Sequence, residues 1–185
     1  MLCRRAILVG RPIAGYEAGV CWLTRDAANG AGGNPGHACE RGLQLKVYDC
    51  YRPARAVADF AAWARDLDDQ AMRAEFYPNV DKGRLFELGY IAERLGHSRG
   101  STLDVTLVDL SQRAEIDMGT PYDLFDPSSW PSSDAVPESA RANRLRLRDA
   151  MRTWGFTPLQ EEWWHFTLEN EPYPDTYFDF PVTAQ

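Results

Sequence analysis

Along residues 43–48, Leu43, Leu45 and Val47 alternate with Gln44, Lys46 and Tyr48, the two-residue period of a β-strand with one face turned to a core. The strand runs straight into Asp49-Cys50-Tyr51-Arg52-Pro53. Pro53 suits the first position of a helix, and Val57, Phe60, Ala61, Ala64 and Leu67 follow at helical spacing. A short helix is expected within residues 82–91. Leu103, Val105 and Leu107 alternate with Asp104, Thr106 and Val108 after the turn-like His97-Ser98-Arg99-Gly100-Ser101, predicting a second strand. Residues 119–135, rich in Pro, Ser, Asp and Gly, read as a long loop. A helix is predicted from Pro137 through Leu147 and Met151 to Trp154, with Gly155 as its stop. The run Trp163–Leu168 suits a strand. Near the N-terminus a helix is expected over Val20–Ala28, with loop composition from Asn29-Gly30 through Gly36. Strands and helices are mixed, without repeats or a dividing linker. One α+β domain over residues 1–185 is expected, with 1–40 its least regular part.

Composition narrows the partners. A net charge of −7 on 185 residues argues against nucleic acid or an anionic membrane surface. It suits a small polar or cationic ligand, and equally plain solubility. No apolar run approaches the roughly 20 residues of a membrane span. Arg4-Arg5 precede apolar Ala6–Val9, but Arg11 and Pro12 cut that stretch shorter than a signal-peptide core. The four cysteines (Cys3, Cys21, Cys39 and Cys50) form no CxxC pair, so free thiols in a cytoplasmic protein are expected.

Three histidines carry the chemical question. His37, in the Gly/Pro/Asn loop, reads as an exposed bystander. His97 lies seven residues before Asp104, and Gly100 between them lets the chain bend sharply. His165 follows Glu162 by three residues. Two imidazoles and a carboxylate make a catalytic zinc shell with a fourth position open to water, and Glu162 is placed to act as general base. Spacing alone leaves other readings open. Asp104 can cap a turn, His97 can bond to backbone, and the tryptophans beside His165 can simply pack. Arg52, at a strand-to-helix junction, can hold a carboxylate or an oxyanion, or one of the chain's many acidic groups.

Taken together, the blocks Val47–Pro53, His97–Asp104, Met118-Gly119-Thr120-Pro121-Tyr122-Asp123 and Glu162-Trp163-Trp164-His165 resemble the zinc D-alanyl-D-alanine dipeptidases of the VanX type. Glu171-Pro172-Tyr173-Pro174 and Tyr177–Pro181 extend the likeness. The resemblance implies an α+β domain with a mainly antiparallel sheet flanked by helices and a zinc site in a central cleft. It implies one zinc ion on His97, Asp104 and His165, with Glu162 as base and Arg52 stabilising the transition state. It implies that Asp123 receives the substrate's amino group, with Ser101 and Trp163 also on the substrate side. The substrate so implied is the dipeptide D-Ala-D-Ala. Zinc rests on the likeness, since the same ligands suit cobalt or nickel. Leu95 stands where the family usually has serine, Met1–Val9 replace its N-terminal segment, and Gly32, Gly33 and Pro35 break a helix expected between Tyr16 and Leu43. The competing readings are a peptidoglycan-trimming zinc carboxypeptidase and a non-catalytic zinc-fold binding protein.

Overall fold

The computed structural model describes residues 8–32 and 42–184. The first alternation folds as β1 (Leu43–Asp49) and the second lies within β2 (Thr102–Asp109). With β3 (Ala114–Glu115), β4 (Phe156–Pro158) and β5 (His165–Leu168) they form one antiparallel sheet. Its order is β1-β2-β5-β4, with β3 added to the end of β2. The β1/β2 register shifts between Val47 and Asp49 and leaves Asp49 opposite Asp104. On the other side of β2, Asp104 stands opposite His165. Asp49, Asp104 and His165 thus form one row across three strands.

The helices are α1 (Arg25–Gly32), α2 (Ala54–Arg65), the single turn α3 (Arg73–Phe76) and α4 (Glu138–Thr153). As the sequence predicts, α2 starts behind Pro53 and α4 behind Pro137. Gly155, at φ +82°, ends α4 in the left-handed conformation glycine tolerates best. Leu147 and Met151 of α4 pack on Leu103, Val105 and Leu107 of β2, with Phe156, Trp163, Trp164 and Phe166. Trp63 and Ala64 of α2 head a second cluster with Phe76, Tyr77, Leu85, Ile91 and Phe125. Each large side chain so buried stabilises the fold by roughly 1.5–3 kcal/mol. The first cluster packs α4 on the sheet and the second packs α2 on the turns that follow it. The expected α+β architecture is what the chain adopts.

Several local expectations shift. The helix read at Val20–Ala28 begins only at Arg25, because the preceding segment is tied elsewhere. Tyr51 N–H donates to the Trp22 carbonyl (3.0 Å), and Thr24 N–H to that of Gly100 (2.7 Å). The helix then runs through Asn29-Gly30, which reads as a loop. Gly30 there is a contact surface: an added Cβ would lie 3.0 Å from the Phe156 ring and 3.2 Å from the Trp154 carbonyl. Within residues 82–91 only Lys82–Arg84 make a helical turn, of the 3₁₀ type. The strand expected from Trp163 starts at His165, because Glu162–His165 close a turn first.

The cysteine expectation needs correction. Cys21 and Cys50 form a disulfide, with Cα atoms 5.5 Å apart at a sequence separation of 29. The Tyr51–Trp22 bond lays the segment before α1 along the end of β1, which brings the two residues together. Cys3, Cys39 and His37 lie outside the described residues. Among those described, no helix is long and apolar enough to cross a membrane.

Candidate active site

Three backbone devices bring the candidate ligands together. His97 sits in a one-turn 3₁₀ helix, Gly96–Arg99, which Gly100 at φ +76° turns into β2. Gly96 has no room for a side chain, since a Cβ would lie 2.7 Å from Thr102 Oγ1. The turn is stitched to the β1–α2 junction, where Arg52 N–H donates to the His97 carbonyl (3.3 Å). Asp104 and His165 face each other across β2 and β5. The Glu162–His165 turn (3.5 Å) folds Glu162 back, leaving its Oε2 3.6 Å from His165 Nδ1.

His97 Nδ1 lies 2.6 Å from the Cys50 carbonyl. A carbonyl only accepts, so Nδ1 carries the proton and Nε2 presents a lone pair. That Nε2 lies 3.3 Å from His165 Nδ1 and 3.3 Å from Asp104 Oδ1. His165 Nδ1 and Asp104 Oδ1 are 3.1 Å apart. A tetrahedral metal site with bonds of about 2.0 Å has ligand–ligand edges of roughly 3.3 Å, so the triangle is of the right size for one face. Asp104 Oδ1 is also buried, and among the described residues no hydrogen bond reaches it. A buried anionic oxygen left bare is costly without a cation. The three residues fit a metal ion, and among the described residues they are the group of donors able to hold one.

The electrostatics separate the carboxylates into two kinds. Burial alone would raise the Asp104 carboxyl, but His97 and His165 outweigh it and hold it well below the ordinary range. Burial, only partly opposed by His165, pushes Glu162 up to about 7. A carboxyl so tuned takes and returns a proton near neutrality. Asp123 is pushed up to about 8 by burial and by the Asp104 charge. An ammonium group beside it would reverse that shift. Asp123 is also held at φ +62°, one of few non-glycine residue types that tolerate this region.

Arg52 donates from Nε and Nη2 to Asp49 Oδ2 (3.0 and 2.8 Å). Tyr16 Oη donates to the same carboxylate, 3.1 Å from Oδ1. Burial disfavours the charge on Arg52, yet Asp49, with Tyr16, Tyr122 and Asp104, keeps it cationic. Two candidates have other occupations. Ser101 is fully buried, its hydroxyl 2.8 Å from that of Thr24. Trp163 is buried, and its indole N–H donates to Thr120 Oγ1 (2.9 Å).

Asp49, Tyr16, Tyr122 and Arg144 escape a reading of the sequence. Asp49, three residues before Arg52, offered the clearest signal. Tyr122 donates its hydroxyl to Asp104 Oδ2 (2.9 Å), and nothing local announces it. Arg144, buried on α4, donates to the Met118, Ser128 and Trp130 carbonyls and to the Thr120 hydroxyl, so it ties down the loop that carries Tyr122 and Asp123.

Comparison with known proteins agrees with this geometry. The family model described as D-ala-D-ala dipeptidase, of the M15 peptidases, matches residues 3–183. The chain is 42% identical over 173 residues to a D-alanyl-D-alanine dipeptidase of Streptomyces coelicolor, covering 94% of this chain and 86% of that protein. It is 37% identical, with the same coverage, to that of Enterococcus faecium. With the D-alanyl-D-alanine dipeptidase of Escherichia coli it shares 33% over 153 residues, 83% of this chain and 69% of the relative.

Proposed function

Because this chain belongs to the D-Ala-D-Ala dipeptidase family of M15 peptidases, we propose that it hydrolyses D-alanyl-D-alanine with one zinc ion held by His97, Asp104 and His165. The observation that carries this reading is the triangle of three donor atoms 3.3, 3.3 and 3.1 Å apart, with the Glu162 carboxylate beside it. When bound, zinc supplies Lewis acidity, which polarises a carbonyl and makes water more acidic.

The chain's own groups do the rest. Glu162 takes the proton from the attacking water and returns it to the leaving amine. Arg52, oriented by Asp49, stabilises the negative charge that develops on the scissile carbonyl oxygen. Asp123 receives the free ammonium of the dipeptide, which selects a substrate with an unblocked N-terminus. That preference favours the dipeptide over a carboxypeptidase acting on longer wall peptides. Ser101 and Trp163 brace the walls of this pocket from behind. Free thiols were one premise of a cytoplasmic location, beside the short apolar stretch before Arg11. The Cys21–Cys50 disulfide removes that premise and favours an oxidising compartment.

The test is D-alanine release from D-Ala-D-Ala by zinc-loaded protein, with Glu162→Gln alongside and N-acetyl-D-Ala-D-Ala as second substrate. We expect release from the free dipeptide only, reduced at least about 100-fold in the variant while zinc content is unchanged. A folded, zinc-loaded wild type that releases nothing would refute the reading. So would a Glu162→Gln variant as active as wild type.

A further inference from the structure

The two oxygens of Asp104 are treated differently. Oδ1 faces His97 Nε2 and His165 Nδ1 and receives no hydrogen bond among the described residues. Oδ2 accepts the hydroxyl of Tyr122 at 2.9 Å. The ring that carries this hydroxyl is held on two sides. It stacks on Tyr48 (centroids 4.4 Å apart, planes at 21°) and meets Trp164 edge-on at 5.3 Å. Tyr48 is anchored in turn by its own hydroxyl, which donates to Glu115. The loop on either side is held as well, by Arg144 at Met118 and the Thr120 hydroxyl before the ring and at the Ser128 and Trp130 carbonyls after it. A phenol so fixed has little freedom to donate anywhere else.

We propose that Tyr122 is a positioning residue for the metal centre: its hydroxyl occupies Asp104 Oδ2 and so makes Asp104 a one-oxygen ligand through Oδ1. This role rests on the metal reading above and deepens it. A carboxylate can bind a cation through one oxygen or both. In this buried pocket an Oδ2 without the phenol would have the cation as its strongest available positive partner, and the carboxylate would turn towards two-oxygen binding. Turning would crowd the position that the other three donors leave open. The hydrogen bond prevents that at no cost in charge, because a hydroxyl can donate to the carboxylate without neutralising it. Tyr122 and Asp123 are also consecutive. The loop that sets the carboxylate mode of a metal ligand therefore also presents the group that receives the substrate's ammonium, so disturbing one disturbs the other.

The experiment is metal titration of Tyr122→Phe, with Tyr48→Phe and His97→Ala as controls. Cobalt(II) is the spectroscopic probe, and zinc affinity is read by competition with a chromophoric chelator. Tyr122→Phe is expected to change the visible cobalt bands towards the weaker absorption of higher coordination, and to lower zinc affinity about 10–100-fold. Tyr48→Phe keeps the Asp104 partner and should keep the wild-type spectrum. A wild-type cobalt spectrum in Tyr122→Phe would overturn the proposal whatever its zinc affinity, since a merely loosened pocket leaves the coordination mode unchanged. A wild-type protein whose cobalt spectrum survives His97→Ala would overturn the metal centre itself, and this role with it.

Discussion

Replacing Arg144 with methionine tests whether the loop bearing Tyr122 and Asp123 is held from behind by one buried cation. The guanidinium, 1% exposed, reaches the Met118 carbonyl at 2.6 Å, those of Ser128 and Trp130 at 2.7 and 2.8 Å, and Thr120 Oγ1 at 3.0 Å. No carboxylate is among these acceptors, and burial pulls the group down to about 10. Hydrogen bonds from a charged donor contribute roughly 1.5–3 kcal/mol each, but four sharing one donor do not add. Ser128 and Trp130 are only partly buried, which leaves their carbonyls a route to water. Met118 is a buried residue, where a carbonyl left without its donor finds no water in exchange. Relief of the buried charge offsets part of the loss. The net expectation is a loss of about 2–4 kcal/mol, a lowering of the urea midpoint by about 1–2 M at a slope near 2 kcal/mol per M. KM for the dipeptide should rise more than kcat falls, because the loop presents Asp123. Arg144→Lys should behave similarly, since one ammonium cannot span four acceptors. A midpoint shift worth less than about 0.5 kcal/mol in both variants would refute this account.

Two further outcomes follow from the same structure. Asp123 and Glu162, pushed up to about 8 and about 7 mainly by burial, ionise near pH 4 when unfolded. Between those values the folded, metal-free chain holds more protons than the unfolded one, so its stability falls as pH rises from 5 to 8. Thermal unfolding of chelator-treated protein should show this decline, flattened in Asp123→Asn; a parallel slope in the variant would contradict it. Removing the Cys21–Cys50 link with Cys21→Ser opens a loop of 29 residues' separation and should cost roughly 3–4 kcal/mol. Thiol titration of the unreduced, denatured protein checks that the bond exists, and a free-thiol count equal to the full cysteine content would exclude it.

Local order was legible along the chain, because neighbours in sequence set it. The period-2 runs at residues 43–48 and 103–108 became β1 and β2. Pro53, Pro137 and Gly155 bounded α2 and α4 through backbone restrictions each residue carries with it. The proposed metal ligands and Glu162 were picked out through the blocks that resemble the dipeptidase family, since residue type and spacing alone left other readings open. Tertiary structure decided what depends on which faces meet. The row Asp49–Asp104–His165 exists only through the β1/β2 and β2/β5 registers. Gly30 reads as a loop residue but lets α1 approach Phe156. The Tyr122–Asp104 bond spans 18 residues and the Arg144–Met118 bond 26, while the disulfide closes over 29. No period or spacing encodes such pairs, because they form when distant segments are pressed together by burial, and the chain between them is free to be anything that turns.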